Sequence, residues 1–208
     1  MSPIRRRSGN SENLKQEHQG EPATGMSLTV HQRAARIRLL LMDVDGVLTD
    51  GKIYFIPDGQ GGWTETKGFD TQDGIAMQWL HWQGIYTGLI SGRQSRATEL
   101  RALQGKFRYC YTGHIDKVPI LEEIMKDSGL KADQIAYIGD DYTDVVIMRR
   151  VGLAVATSNA APEVKHFAHY VTERGGGCGA MREVAVLLMK AQGVWEEILK
   201  KYEMDDGR

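Results

Sequence analysis

The chain has 208 residues, of which 41 % are hydrophobic and 25 % charged, so it is long enough for one domain with a substantial core. Its 26 basic and 27 acidic side chains give a formal net charge of -1, which argues against a nucleic-acid-binding surface. Only two cysteines occur, and no apolar stretch is long enough for a membrane span or a secretory signal. We therefore expect a cytoplasmic protein that binds neither membrane nor nucleic acid.

The N-terminal segment, residues 1–30, is polar and has no apolar period, which predicts a disordered tail. Met26 opens a more regular segment and is an alternative start of the chain. Residues 31–208 are expected to form the folded domain.

Short apolar runs alternate with amphipathic segments through this domain. The predicted strands are IRLLLMDV, IYTGLIS, FRYCY, QIAYIG, LAVA and HYVT. The predicted helices are DGIAMQWLHWQG, residues 94–104, DKVPILEEIMKDSG, residues 143–150, PEVKHFA and a stretch that begins at Gly179. Strands that alternate with helices of this length form right-handed crossovers. The pattern predicts an α/β fold, a three-layer Rossmann-like parallel sheet with helices on both faces.

One segment, residues 51–68, departs from this alternation. The runs KIYFI and WTETK flank PDGQGG, whose proline, aspartate and glycines are typical of a turn. We predict a β-hairpin that projects as a flap over the carboxyl edge of the sheet, where ligands bind in such folds.

Acidic side chains follow the first predicted strand. Asp43 and Asp45 are two residues apart at its end, so both carboxylates are expected near one side of the chain. Aspartate and glycine are also ordinary loop residues after a strand. This pair alone therefore does not decide between a substrate site and a simple loop.

Two further polar residues stand at the ends of elements. Ser91 ends the run IYTGLIS, where a hydroxyl and loop N–H groups can bind a phosphate oxygen. Lys117 stands at a helix start, where acids are usually favoured, so an anion is expected in front of it. Taken singly, the first is compatible with a simple turn and the second with a solvated surface lysine.

A third strand end carries Asp140, Asp141 and Asp144. So many carboxylates near the first pair repel one another unless a cation neutralises them, and carboxylate oxygens suit Mg²⁺. A helix N-cap accounts for Asp141 or Asp144 but poorly for all three.

Together, DVDGV, Ser91, Lys117 and GDDYTD resemble, in that order, the four motifs of the haloacid dehalogenase superfamily. The resemblance implies that Asp43 is the nucleophile and that Asp45 acts as acid and base. Ser91 and Lys117 would hold the phosphoryl oxygens.

The same resemblance implies the metal site. Mg²⁺ would be held by the carboxylates of Asp43 and Asp140 and by the backbone carbonyl of Asp45, with Asp141 and Asp144 as supporting groups. The gaps between the motifs leave room only for the hairpin and for little more than a helix and a strand, so no cap domain is expected.

More closely, DVDGVLTDG, ETKGFDTQDGIAM, SGRQS, YTGHIDK, GDDYTD and GGGCGAMREV are similar to the 3-deoxy-D-manno-octulosonate 8-phosphate phosphatase family of lipopolysaccharide synthesis. This implies a homotetramer acting on a small sugar-acid phosphate, with Lys67, Gly92 and Arg93 as candidate substrate contacts. Solvent-facing charge is the alternative for the two basic residues. The chain departs from the family pattern at Val146, where proline is usual, and at Asn159, where aspartate is common.

Two alternatives stay open. A phosphatase for a nonulosonate 9-phosphate would share all of these motifs, because no motif records one additional carbon in the pocket. A non-catalytic phospho-sugar binding protein would retain the fold without turnover.

Overall fold

A six-stranded parallel sheet forms the centre of the protein, for which a computed structural model describes residues 28–204. The elements in chain order are α1 (Val30–Ala34), β1 (Leu39–Met42), β2 (Tyr54–Pro57), β3 (Trp63–Thr66), α2 (Thr71–Trp82), β4 (Tyr86–Ser91), α3 (Arg96–Gln104), β5 (Tyr109–Thr112), α4 (Val118–Ser128), β6 (Ile135–Gly139), α5 (Tyr142–Met148), β7 (Leu153–Ala156), α6 (Pro162–Lys165), β8 (Tyr170–Val171), α7 (Ala180–Ala191) and α8 (Trp195–Lys201). The sheet order is β5-β4-β1-β6-β7-β8, which confirms the predicted α/β class.

The central strand β1 is buried on both faces and divides the core into two layers. Leu40 and Met42 face a cluster formed with α2, α3 and α7, whereas Leu39 and Leu41 face a cluster formed with α4, α5 and α6. This alternation explains why the strand is an uninterrupted apolar run, as parallel strands between two helical layers are.

The hairpin prediction is also confirmed. Strands β2 and β3 pair antiparallel, from Tyr54 opposite Thr66 to Pro57 opposite Trp63, in a two-stranded sheet of their own. Between β1 and β4 the chain contains only this hairpin and α2, and between β4 and β5 only α3, so these two intervals hold no cap domain.

The structure differs from the sequence predictions mainly at the ends of the chain. The predicted strand HYVT is reduced to two residues, and the C-terminal helical stretch is broken at Gly193, whose φ of 73° separates α7 from α8. The predicted tail lies outside the described residues except for residues 28–30, where Thr29 caps α1. None of the helices within residues 28–204 combines the length and the apolar content needed to cross a bilayer.

A buried carboxylate links α2 to α7. Asp73 is 1 % exposed and its Oδ1 accepts a hydrogen bond from the Arg182 backbone N–H at 2.8 Å, while its Oδ2 has no partner among the described residues. Burial raises the pKa of Asp73 to about 6, from an ordinary value of 3.8. The ionised form therefore destabilises the folded state at neutral pH.

We expect Asp73→Asn to stabilise the protein relative to wild type at pH 8 and to do so less at pH 4. Because the pKa is raised on folding, the charge destabilises the fold above about pH 6 and has no effect once the group is protonated in both states. The stabilisation by Asp73→Asn, measured as the free energy of unfolding relative to wild type, should be larger at pH 8 than at pH 4 by on the order of 1–2 kcal/mol.

Denaturant unfolding at the two pH values measures this gain. Any cost of burying the amide is the same at both pH values, so the difference isolates the charge. The exposed Asp133→Asn serves as the matched control, and an equal effect of Asp73→Asn at both pH values would contradict the prediction.

Candidate active site

The carboxyl ends of β1, β4 and β6 meet because β1 lies between the other two strands. Met42 is in register with Leu89 on one side and with Ile138 on the other. Asp43, the next residue, donates its backbone N–H to the carbonyl of Ile138 at 2.9 Å. This register brings the polar residues after β1 and β6 to one edge of the sheet.

Lys117 is the central cation of this edge. It precedes α4, is 1 % exposed and donates from Nζ to Asp43 Oδ1 at 2.9 Å and to Asp144 Oδ1 at 2.7 Å. Burial lowers the pKa of Lys117, but the charges of Asp144 and Asp43 outweigh it, so the pKa is raised overall. The solvated-surface interpretation of Lys117 is therefore wrong.

Tyr137 completes this cluster and was not among the residues singled out in the sequence. It is fully buried in β6, donates its hydroxyl to Asp144 Oδ1 at 2.7 Å and accepts from Lys117 Nζ at 3.0 Å. A hydroxyl in an otherwise apolar strand, three residues before Asp140, is the only signal that the sequence offers.

Asp144 is a positioning group rather than a free ligand. Its Oδ1 is bound by Lys117 and Tyr137, and its Oδ2 accepts from the backbone N–H groups of Asp140 at 2.9 Å and Asp141 at 3.2 Å. Both oxygens are thus engaged within the protein, one of them by the ammonium of Lys117.

Asp140 has the coordination capacity that Asp144 lacks. Its Oδ1 is buried without a partner among the described residues, and one carboxylate oxygen each from Asp43, Asp140 and Asp144 lie within 4.8 Å of one another. Gly46, at φ 88°, makes room for Asp140, since a Cβ there would overlap the carboxylate. Such a cluster of carboxylates could hold a divalent cation, and within it Asp140 offers the unpartnered oxygen.

The electrostatics of these acids agree with that interpretation. Burial, reinforced by the charges of Asp144 and Asp43, raises the pKa of Asp140 to about 8. Burial and Asp144 raise the pKa of Asp43 to about 6, against the opposing effect of Lys117. Carboxylates crowded to this degree are stabilised in their ionised form by a bound cation.

Asp45 faces a second group of charges. Lys67 Nζ lies 2.7 Å from its Oδ1 and 2.9 Å from its Oδ2, and Arg93 Nε lies 3.9 Å from Oδ2. The Lys67 side chain is completely buried, so its solvent-facing interpretation is wrong, whereas the Arg93 side chain is 48 % exposed. Glu65 on β3 contacts both cations and was also missed in the sequence.

The turn after β4 is formed by Ser91 and Gly92. Ser91 is 1 % exposed, its carbonyl accepts from the His114 N–H, and its hydroxyl accepts from the Arg93 N–H at 3.3 Å. A Cβ on Gly92 would meet only Ile115, at an ordinary 3.6 Å, so sterics do not require glycine there.

Asp141 differs from the other acids. It is exposed and is the N-cap of α5, where its Oδ1 accepts from the Tyr142 N–H at 2.7 Å. Its charge raises the pKa of Asp140, but its carboxylate lies outside the cluster that can hold a cation. The N-cap alternative therefore accounts for the contacts of Asp141.

Asn159 supports the loop that follows Asp43. Its Nδ2 donates to the Gly46 carbonyl at 3.0 Å, and its Oδ1 accepts from the Gly176 N–H at 2.6 Å. An amide can make both bonds, whereas a carboxylate has no proton for the first. The other departure, Val146, lies in α5, and its carbonyl accepts from Arg150.

Comparisons with known proteins agree with this geometry. The sequence profile of haloacid dehalogenase-like hydrolases matches residues 104–175. The 3-deoxy-D-manno-octulosonate 8-phosphate phosphatase of Yersinia pestis is 42 % identical over 163 residues, which cover 78 % of this chain and 85 % of that protein. The chain belongs to the haloacid dehalogenase-like phosphatases.

Solved structures of such phosphatases superpose closely. The crystal structure of the Yersinia pestis enzyme has a TM-score of 0.77 and 41 % identity, covering 80 % of this chain and 88 % of that one. The Moraxella catarrhalis enzyme, solved with magnesium, phosphate and a KDO molecule, has a TM-score of 0.79 and 35 % identity, covering 83 % of this chain and 97 % of that one.

The contacts of Tyr137 generate a prediction for this phosphatase. Tyr137→Phe removes the hydroxyl that donates to Asp144 and accepts from Lys117. The lysine therefore loses one of the contacts that align it. We expect kcat for an aryl phosphate to fall about tenfold and stability to fall by about 1–2 kcal/mol.

The matched control is Tyr109→Phe, because the Tyr109 hydroxyl also donates to a carboxylate, that of Asp127 at 2.6 Å, away from the site. Steady-state kinetics and denaturant unfolding are measured for both variants. Unchanged kcat in Tyr137→Phe, or an equal fall in the control, would refute the positioning role.

Proposed function

We propose that the protein is a Mg²⁺-dependent phosphatase that hydrolyses 3-deoxy-D-manno-octulosonate 8-phosphate to the free sugar acid and phosphate. The observation that carries this proposal is the buried Lys117 bonded to Asp43, beside an Asp140 carboxylate that has an unpartnered oxygen. The relative from Yersinia pestis bears the name of this activity, and the Moraxella catarrhalis enzyme was solved with magnesium, phosphate and KDO.

In this proposal Asp43 attacks phosphorus. A bond forms between its carboxylate oxygen and phosphorus as the bond from phosphorus to the sugar oxygen breaks, which gives an aspartyl phosphate and replaces one difficult displacement by two easier ones. Lys117 and the Ser91 hydroxyl hold the phosphoryl oxygens and offset their repulsion by the carboxylate.

Asp45 is the proposed acid and base. It gives a proton to the departing sugar oxygen and then takes one from the water that hydrolyses the aspartyl phosphate. Lys67 and Arg93 lie beside it.

The carboxylates of Asp43 and Asp140 and the backbone carbonyl of Asp45 would hold the Mg²⁺. When bound, the ion supplies positive charge that neutralises these acids and the phosphoryl oxygens.

The two cations beside Asp45 also support the substrate class. Because Asp45 is the proposed donor to the leaving oxygen, Lys67 and Arg93 beside it would lie near the leaving group, and a pair of cations suits the carboxylate of a sugar acid. We further propose that the product enters lipopolysaccharide synthesis.

We also propose a homotetramer assembled through the hairpin. Four large apolar side chains on β2 and β3 are 48–69 % exposed, namely Tyr54, Phe55, Ile56 and Trp63. An exposed apolar patch of this kind is typical of a protein interface.

We expect Asp43→Asn to abolish turnover, by at least about a thousandfold, because an amide cannot form the aspartyl phosphate. The fold should persist, as checked by circular dichroism and unfolding. Asp133→Asn is the matched control and should retain activity, since Asp133 is exposed and lies outside the site. Comparable activity of Asp43→Asn and wild type would exclude the covalent route.

For the substrate, we expect Mg²⁺-dependent phosphate release to be fastest with 3-deoxy-D-manno-octulosonate 8-phosphate in a panel that includes a nonulosonate 9-phosphate and neutral hexose phosphates. Chelation of the metal should abolish it. A preference for the nonulosonate 9-phosphate would make that compound the substrate. Equal rates on neutral hexose phosphates would contradict the sugar-acid assignment.

A further inference from the structure

Glu65 brings the hairpin into contact with the active site. Its Oε2 accepts a hydrogen bond from Arg93 Nη2 at 3.0 Å, and its Oε1 lies 3.7 Å from Lys67 Nζ. The Glu65 side chain is 21 % exposed. A carboxylate of the flap thus contacts both cations that lie beside Asp45.

Strand geometry explains this placement. Glu65 and Lys67 are two residues apart at the end of β3, so their side chains point to the same side of the hairpin. Glu65 and Asp45 together provide two carboxylates, and Lys67 and Arg93 provide two cations. The four side chains form a neutral network, which we call the flap network.

The two cations of this network are held differently. Lys67 is completely buried and is fixed by Asp45 at 2.7 Å, whereas Arg93 is 48 % exposed and lies 3.9 Å from Asp45. The shortest ion-pair contact of Arg93 in the described part of the chain is therefore the one with Glu65. Burial alone would raise the pKa of Glu65, but the Arg93 hydrogen bond and the nearby positive charges lower it overall, so the carboxylate is ionised at neutral pH.

We infer that Glu65 is a positioning residue that acts through Arg93. Glu65 holds the Arg93 guanidinium in one orientation beside Asp45 before substrate binds. Substrate binding therefore costs less side-chain entropy than it would with a freely rotating arginine. A planar guanidinium binds a carboxylate well only when it is aligned. The inference rests on the proposed function, since it assigns Arg93 to the acid group of the substrate.

The contribution of Glu65 to substrate binding is separable from its contribution to the position of the flap. Removing the Glu65 charge leaves the contact between Lys67 and Asp45, which also joins the hairpin to the site. Glu65→Gln keeps the size of the side chain and removes only the charge. Its effect should therefore appear in recognition of an acidic substrate and not in the chemistry at phosphorus.

The test measures kcat and KM of wild type and Glu65→Gln on two substrates, 3-deoxy-D-manno-octulosonate 8-phosphate and p-nitrophenyl phosphate, which has no carboxylate. We expect KM for the sugar acid to rise about tenfold, which corresponds to about 1.4 kcal/mol. We expect kcat for the sugar acid, and both constants for the aryl phosphate, to change less than about twofold. Glu99→Gln, which breaks the exposed 2.9 Å pair with Arg96, is the matched control and should change nothing.

A double variant decides whether Glu65 acts through Arg93. If it does, Glu65→Gln has no further effect on KM in an Arg93→Gln background, whereas independent roles give multiplicative effects. Multiplicative effects, an equal rise in KM for both substrates, or an unchanged KM for the sugar acid would each overturn the inference.

Failure of the proposed function is visible separately, in wild type alone. If wild type prefers another acidic phosphate, the single and double variants of Glu65 and Arg93 are measured on that substrate. The same outcomes then support or overturn the inference. If wild type prefers neutral phosphates, the proposed function fails at that step, and the role assigned to Arg93 and Glu65 fails with it.

Discussion

The buried ion pairs of Lys117 are the constraint on which the rest of the site depends. A lysine with 1 % exposure is tolerated only if carboxylates compensate its lost hydration, and Asp43 and Asp144 do so at 2.9 and 2.7 Å. These contacts join the end of β1, the start of α4 and the first turn of α5 at one point. Lys117 and Tyr137 bind Asp144 Oδ1 and two backbone N–H groups bind its Oδ2, so the carboxylate oxygen without a partner among the described residues after β6 belongs to Asp140.

The site consists of two charge groups with different supports. The group around Lys117 joins the end of β1 to the starts of α4 and α5, and its side chains are buried together with Tyr137. The flap network is built on a hairpin and on the turn after β4, and one of its cations is half exposed. Asp43 and Asp45 connect the groups, since they are two residues apart and pair with different lysines. The two charge groups thus rest on separate scaffolds.

Much of this organisation is predictable because it follows from periodicity and from where strands end. Apolar runs followed by Asp43, Ser91 and Asp140 place all three at one edge of a parallel sheet. Tyr137 was missed because an aromatic residue inside a buried strand is indistinguishable from core until its hydroxyl has partners.

Glu65 and the burial of Lys67 were missed for a related reason. The sequence predicts a hairpin over the carboxyl edge of the sheet, but its alternation does not show which of its side chains turn toward that edge. The loop after Asp43 depends in turn on residues far along the chain, since Asn159 Nδ2 donates to the Gly46 carbonyl and the Gly177 N–H donates to the Val47 carbonyl at 3.1 Å. During synthesis, the segment that carries Asp43 therefore emerges from the ribosome long before its supports, so a nascent or prematurely terminated chain would lack the hydrogen bonds that hold the loop after Asp43.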